Sequence, residues 1–149
     1  MSLLIGRYEY SLDSKNRLGI PPKFREALLQ EKADRFFLTS GIDGCLYLFL
    51  PSQWNKLLEN DLQAFNLPDK EQERAFKRKF FSEATDVELD SAGRILVPQF
   101  LKAHAGLKGD VLVQGAGTRA EVWDKAKWNS YNKAKVEPTF KKVSKTIEI

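Results

Sequence analysis

The chain has 149 residues, of which 42% are hydrophobic and 30% charged, with a single cysteine and a formal net charge of +4. That length suits one ordinary domain or two small interlocked halves. It holds no apolar run near the roughly 20 residues that cross a bilayer, and the lone Cys45 rules out an internal disulfide and fits a reducing cytoplasm. The positive charge is uneven: residues 125–149 contain seven lysines and two glutamates, so the other 124 residues sum to −1. A nucleic-acid argument therefore needs local clusters of cations, not the overall balance.

The apolar start Met1-Ser2-Leu3-Leu4-Ile5 is too short for a secretory h-region. Tyr8-Glu9-Tyr10-Ser11-Leu12 alternates with the period of a half-buried strand. Asp13 to Asn16 is turn chemistry, and Asn16 tolerates a left-handed backbone. Leu18 and Ile20 resume the alternation until Pro21-Pro22. Pro22 suits the first turn of a helix, whose inward face is Phe24, Ala27 and Leu28. Phe36-Phe37-Leu38-Thr39 and Cys45 to Leu50 flank Ser40-Gly41-Ile42-Asp43-Gly44, which predicts a hairpin with a five-residue loop. A helix follows Pro51-Ser52, with Trp54, Leu57, Leu58 and Leu62 at helical spacing. Asp69 with Gln72 resembles a capping box before a helix striped by Phe76, Phe80 and Ala84. The plan then recurs: Val87-Glu88-Leu89, a turn, Ile95-Leu96-Val97, Pro98, a short helix, Val111-Leu112-Val113, a glycine-rich turn, Val122-Trp123, and a helix from about Asp124. Beyond Asn132 apolar periodicity is lost and lysines dominate, the pattern of a mobile tail.

The recurrence is literal. Leu12-Asp13-Ser14-Lys15-Asn16-Arg17-Leu18-Gly19-Ile20-Pro21 returns 77 positions later as Leu89-Asp90-Ser91-Ala92-Gly93-Arg94-Ile95-Leu96-Val97-Pro98, with five of the ten pairs identical. Gly41 with Gly115, Phe49 with Trp123 and Trp54 with Trp128 continue the correspondence at an offset of 74. One repeated unit with a short deletion accounts for both offsets. Four strands cannot close a barrel alone, whereas eight from two copies can bury a shared core and remove exposed edges.

Within the repeated turn, the acid at its start can simply cap the turn and pair with the arginine four residues on. That reading leaves Lys15 unexplained. An arginine at the tip can grip a phosphate or the O6 and N7 edge of guanine, with the acid limiting its rotamer freedom. Both readings can hold for the same pair. The cations of the central helix, Lys70, Arg74, Lys77, Arg78 and Lys79, read first as a solvated face balanced by Glu71 and Glu73. His104 stands alone, and Cys45 lies in an apolar run. No Cys/His set has metal-ligand spacing, and no acid, base and nucleophile converge, so neither a metal, a cofactor nor an enzymatic site is expected. Gly115-Ala116-Gly117 reads as a hairpin turn. Trp54, Trp123 and Trp128 fall at repeat positions, as core residues would.

Ile5-Gly6-Arg7-Tyr8, the doubled Leu-Asp-x-x-x-Arg turn with its proline, Gly41-Ile42-Asp43-Gly44-Cys45-Leu46 and Arg78-Lys79-Phe80-Phe81-Ser82 closely resemble the MraZ family of bacterial transcriptional regulators over roughly residues 5–131. The resemblance implies a mainly β fold with peripheral helices: a pseudo-twofold swapped-hairpin β-barrel of two AbrB-like units at 5–62 and 85–131, joined by a helical segment at 63–84 and followed by a basic tail at 132–149. It also implies a cytoplasmic, nucleoid-associated repressor. Such a protein forms a homo-oligomeric ring and binds double-stranded DNA at promoter repeats ahead of its own division and cell-wall gene cluster, with no membrane or small-molecule partner. On these motifs the DNA-binding residues are Lys15, Asn16, Arg17, Arg94 and Arg7, with Asp13 and Asp90 orienting the arginines. Glu83 departs from the family, which commonly has glycine there, and Ala92 replaces the lysine of the first turn, so the first copy is expected to bind more strongly. The alternative is a ring-forming scaffold or antitoxin-like module that binds protein instead.

Overall fold

The computed structural model describes residues 2–60 and 64–149. Among the described residues, eight strands and six α-helices follow one another, and those up to Tyr131 come in the expected order. The first half contains β1 (Arg7–Ser11), β2 (Arg17–Gly19), α1 (Pro22–Gln30), β3 (Arg35–Ser40), β4 (Leu46–Phe49) and α2 (Pro51–Glu59). The helix α3 (Lys70–Ser82) leads into β5 (Thr85–Glu88), β6 (Arg94–Leu96), α4 (Gln99–Ala105), β7 (Asp110–Gly115), β8 (Ala120–Asp124) and α5 (Lys125–Tyr131). Leu62 and the boundary drawn at 62/63 lie outside the described residues.

Local chemistry explains the ends of these elements. Pro22 and Pro51 each occupy the first turn of their helix, where a missing N–H costs nothing. The Gln53 side chain accepts the Leu50 N–H at 3.0 Å and closes the start of α2. Asp69 caps α3 by accepting from the N–H groups of Glu71 and Gln72. Glu83, where the resemblance leads one to expect glycine, ends α3 in an ordinary right-handed conformation, and its carboxylate meets Lys79 Nζ at 3.0 Å. No left-handed backbone is required at that position.

Six strands form one antiparallel sheet in the order β1-β7-β8-β4-β3-β5, while β2 and β6 pair only with each other. Exchanging the halves, β1 for β5, β3 for β7 and β4 for β8, returns the same order reversed. Pseudo-twofold symmetry is thus written into the hydrogen bonding. The halves are also interleaved: β1 pairs with β7 of the second hairpin, and β5 pairs with β3 of the first. The six-stranded sheet is not closed by hydrogen bonds: β1 and β5 are its edges, and β2 and β6, three residues each, pair with one another as a separate ribbon.

Alternation along the strands sends side chains to two cores. Phe36, Leu38, Leu46, Leu48, Val111, Val113 and Val122 face one side, which is closed by Phe24 and Leu28 of α1, Leu101 of α4, and Leu18 and Ile95 of the ribbon. Tyr47, Phe49, Leu112 and Trp123 face the other side, against Trp54 of α2, Phe80 of α3 and Trp128 of α5. Because both faces are covered, all four residues of β4 are buried. The three tryptophans are core residues, with rings Trp123 and Trp128 5.1 Å apart and Trp54 stacked 5.3 Å from Phe37. Leu58, expected inward, is 41% exposed. Its place in the helix turns it off the stripe formed by Trp54 and Leu57.

The tail is helical although its apolar periodicity is weak. Helix α5 continues through a π-helical stretch, Asn132–Val136, into α6 (Glu137–Ser144). Its apolar residues contact little: Phe140 is 70% exposed. This weak patterning is why the sequence looked unstructured there.

The N-terminal segment crosses the β7–β8 turn, where Leu4 and Gly117 exchange two backbone hydrogen bonds of 2.8 and 3.0 Å. A Cβ at Gly115 would come within 2.1 Å of the Leu4 carbonyl oxygen. Gly115→Ala should therefore lower the unfolding free energy in urea by about 1–3 kcal/mol, the usual cost of overpacking. Gly109→Ala, which meets no atom within 4 Å, should change it by less than about 0.5 kcal/mol.

Candidate nucleic-acid interface

The two repeated turns fold alike, bond for bond. Asp13 Oδ1 accepts the backbone N–H groups of Lys15 (2.9 Å) and Arg17 (2.8 Å), and its Oδ2 accepts Arg17 Nε at 2.6 Å. Asp90 Oδ1 accepts those of Ala92 and Arg94, both at 2.9 Å, and its Oδ2 accepts Arg94 Nε at 3.0 Å. Reversing the chain in so few residues requires one left-handed residue in each turn. Asn16 (φ 61°) and Gly93 (φ 75°) supply it at equivalent places. The acid therefore does both things foreseen for it: it builds the turn and it fixes the arginine.

The ribbon brings the two turns together. Leu18 pairs with Ile95 at its centre, both facing the core, with Arg17 opposite Leu96 and Gly19 opposite Arg94. Alternation then puts Arg17, Arg94 and Leu96 on the outward face. Beyond the ladder, the Val97 N–H donates to Asn16 O at 2.8 Å and the Ile20 N–H to Gly93 O at 3.0 Å, so each turn is tied to the strand of the other half. Arg94 Nη1 also lies 3.7 Å from Asp13 Oδ2, the oxygen that binds Arg17 Nε. One carboxylate thus holds two guanidinium groups that are 77 residues apart in sequence. Their side chains are 35% and 34% exposed, half-sunk with a face to solvent.

Both carboxyls are held below the ordinary aspartate value. For Asp13 the strongest influence is the backbone N–H of Arg17, followed by its side chain and the Lys15 N–H. For Asp90 it is the backbone N–H of Arg94, then the N–H of Ala92 and the Arg94 side chain. Each acid stays ionised into moderately acidic solution and keeps its arginine in place.

Not every expected residue joins this patch. Lys15 is exposed at the tip of the first turn, and Asn16 and Arg17 are half-buried beside it. Arg7 is elsewhere. It lies over the Trp128 ring, 5.5 Å from the centroid, on the face of β1 opposite Tyr8 and Tyr10. A one-residue step along a strand reverses the side, which separates Arg7 from the turns. Two cations that the motif did not include are instead present. Lys102 of α4 donates to Asn16 Oδ1 at 3.0 Å, and the Arg25 guanidinium of α1 packs against Gly93. The offset of 77 relates these two positions as it relates the turns, and that was the available signal.

The remaining candidates are structural. His104 Nε2 hydrogen-bonds the Gly41 carbonyl at 3.0 Å. Cys45 is buried, and desolvation pushes its thiol far above its usual pKa. In α3, Glu73 pairs with Lys70 and Lys77. Among the described residues no cluster of His, Cys, Asp and Glu could hold a metal, and no helix is long and apolar enough to cross a membrane.

In a carbon-detected NMR titration, the Asp13 and Asp90 carboxyls should show midpoints below 3.8. Depressed folded-state values mean that the stability these acids contribute is complete above the unfolded pKa and is lost as pH falls through the folded one. Arg17→Ala should move the Asp13 midpoint upward but not return it to 3.8, since the backbone N–H bonds remain.

Comparison with known proteins agrees with the repeat. A family model described as "MraZ protein, putative antitoxin-like" matches the chain twice, at residues 3–79 and 80–148. The chain is 46% identical over 130 residues to the transcriptional regulator MraZ of Acetivibrio thermocellus, covering 87% of each chain. It is 45% identical to those of Alkaliphilus metalliredigens, over 87% of each chain, and Clostridium acetobutylicum, over 91% of each. Two matched units, a doubled turn and identity of this extent over most of the length establish that the chain belongs to the MraZ family.

Proposed function

We propose that this protein is a sequence-specific transcriptional regulator that binds double-stranded DNA through the outward face of the β2–β6 ribbon. The observation that carries this reading is the pair of half-exposed guanidinium groups, Arg17 and Arg94, fixed by Asp13 and Asp90 at the centre of the pseudo-dyad. The relatives' name as transcriptional regulators supports it. A two-stranded ribbon fits the major groove, which is about 12 Å wide, and fixed arginine forks suit guanine edges and phosphates. Lys15 adds a flexible phosphate contact, and Asn16 gives the turn its shape.

A single ribbon offers few contacts for the ~10⁻⁸–10⁻¹¹ M affinity typical of specific sites. Several copies on successive DNA repeats would gain through effective concentration. The finer reading is therefore a homo-oligomeric ring acting as a repressor at direct repeats before its own division and cell-wall gene cluster, in the cytoplasm at the nucleoid. Two AbrB-like units, at 5–62 and 85–131, serve as its building blocks. A protein-binding, antitoxin-like role draws on Leu96 and Phe100, exposed by 60% and 49%. It does not require the cations of the first turn.

The purified protein should retain a fragment from upstream of its own gene more tightly than random DNA, with affinity falling steeply as salt rises. Equal retention of both fragments counts against sequence-specific binding. Lys15 stands where the second turn has Ala92, so Arg17→Ala should weaken binding more than Arg94→Ala. Losing a bidentate contact costs about 1–3 kcal/mol, and equal losses for the two variants would remove the asymmetry.

A further inference from the structure

The pseudo-dyad relates a second pair of cations that the turn motif does not contain. Arg25 of α1 and Lys102 of α4 are separated by the same 77 positions as the turns. Each reaches across to the other half. Lys102 Nζ donates to Asn16 Oδ1 of the first turn at 3.0 Å. Arg25 lies on Gly93 of the second turn, where an added Cβ would stand 2.8 Å from Cζ and Nη1 and 2.9 Å from Nε. Arg25 Nε donates to the Ile20 carbonyl at 3.1 Å, which leaves the outer nitrogens of its fork uncommitted among the described residues.

Neither cation has a carboxylate partner among the described residues, although both are half-buried. Other half-buried cations among the described residues are neutralised: Arg35 by Asp34, Asp86 and Glu88, Arg119 by Glu121, and Lys125 by Glu9. A half-desolvated cation without a counter-ion is unfavourable by itself. Here two occur at dyad-related positions, each against the same turn as an outward-facing arginine. Asp13 and Asp90 are already engaged by Arg17 and Arg94. The composite surface made by Lys15, Arg17, Arg25, Arg94 and Lys102 therefore sets five cations against these two carboxylates, both already paired with the arginines.

We propose that Arg25 and Lys102 are a second, cross-half pair of DNA-phosphate contacts. Each turn of the interface is completed by the helix of the opposite half, giving Arg17 with Lys102 on one side of the dyad and Arg94 with Arg25 on the other. The arginines at the turns sit at the centre, and the helix cations widen the grip along the backbone on either side. Phosphate contacts set affinity and register, not base choice. Neither half could form this interface alone. The proposal rests on the DNA-binding reading above and extends it to residues outside the repeated motif.

The test uses the full chain, a duplex from upstream of its own gene and a random duplex of equal length. Dissociation constants are measured across a salt series for wild type, Arg25→Gln, Lys102→Gln, the double variant and Lys102→Arg. Losing one phosphate contact should reduce the slope of log K against log salt by about 0.9, and losing two by about twice that, on both duplexes alike. Lys102→Arg should keep the wild-type slope. A role confined to holding the turn would lower the melting temperature and leave the slope unchanged, and that result overturns the proposal. Independently of any variant folding, bound DNA should protect Lys102 of the wild-type protein from acetylation, while Lys127, which bonds Gly44 O at the far hairpin, stays reactive. Equal reactivity of Lys102 with and without DNA also overturns it. Unchanged slopes alongside weakened binding by Arg17→Ala and Arg94→Ala reject the helix cations and leave the DNA-binding reading standing. No salt-dependent binding of the wild type to either duplex rejects both.

Discussion

Three residue pairs between β2 and β6 hold the two halves in their working relation. Leu18 and Ile95 meet at the centre of that ribbon and are almost wholly withdrawn from solvent. Each buried side chain of this size contributes about 1.5–3 kcal/mol, so the ribbon is pinned from beneath. Its upper face is then free to carry charge. The same alternation that buries Leu18 and Ile95 turns Arg17 and Arg94 outward, and a shift of one residue would exchange the two sets. Stability and display are two faces of one register.

The sheet beneath makes that register robust. Each outer strand is bonded to the hairpin of the other half, β1 to β7 and β5 to β3. Neither half can leave without stripping strands from both hairpins. The aromatic core on the far side, with Trp54, Phe80, Trp123 and Trp128, fixes α2, α3 and α5 away from the turns. The shared carboxylate of Asp13 extends the coupling to the surface: it ties Arg17 to its own turn and draws Arg94 close.

The repeat made a good deal of this legible. The doubled Leu-Asp-x-x-x-Arg segment located both turns, and the need for a left-handed residue explained why asparagine and glycine can occupy equivalent positions. Hairpins, proline-started helices and the Asp69 cap follow from chemistry within four or five residues of chain, and so could be read directly. Arg7 shows where such reading stops. It sits beside family-like residues, yet its strand parity aims it at Trp128. The tail shows the converse: Phe140, Val143 and Ile147 give too weak a pattern to announce the helix that most of them join.

The sequence by itself determined that there are two copies of one unit, that each bends at an acid-fixed arginine, and that the chain belongs among the MraZ proteins. These follow from local spacing and from identity, which need no knowledge of distant contacts. Only the tertiary structure decided that β2 and β6 pair with each other as a ribbon apart from the six-stranded sheet. It alone decided that Asp13 serves two arginines, and that Arg25 and Lys102 cross to the opposite turn. Those outcomes depend on which surfaces meet when residues some 77 positions apart are packed on one core, and no short-range rule of the chain encodes that meeting.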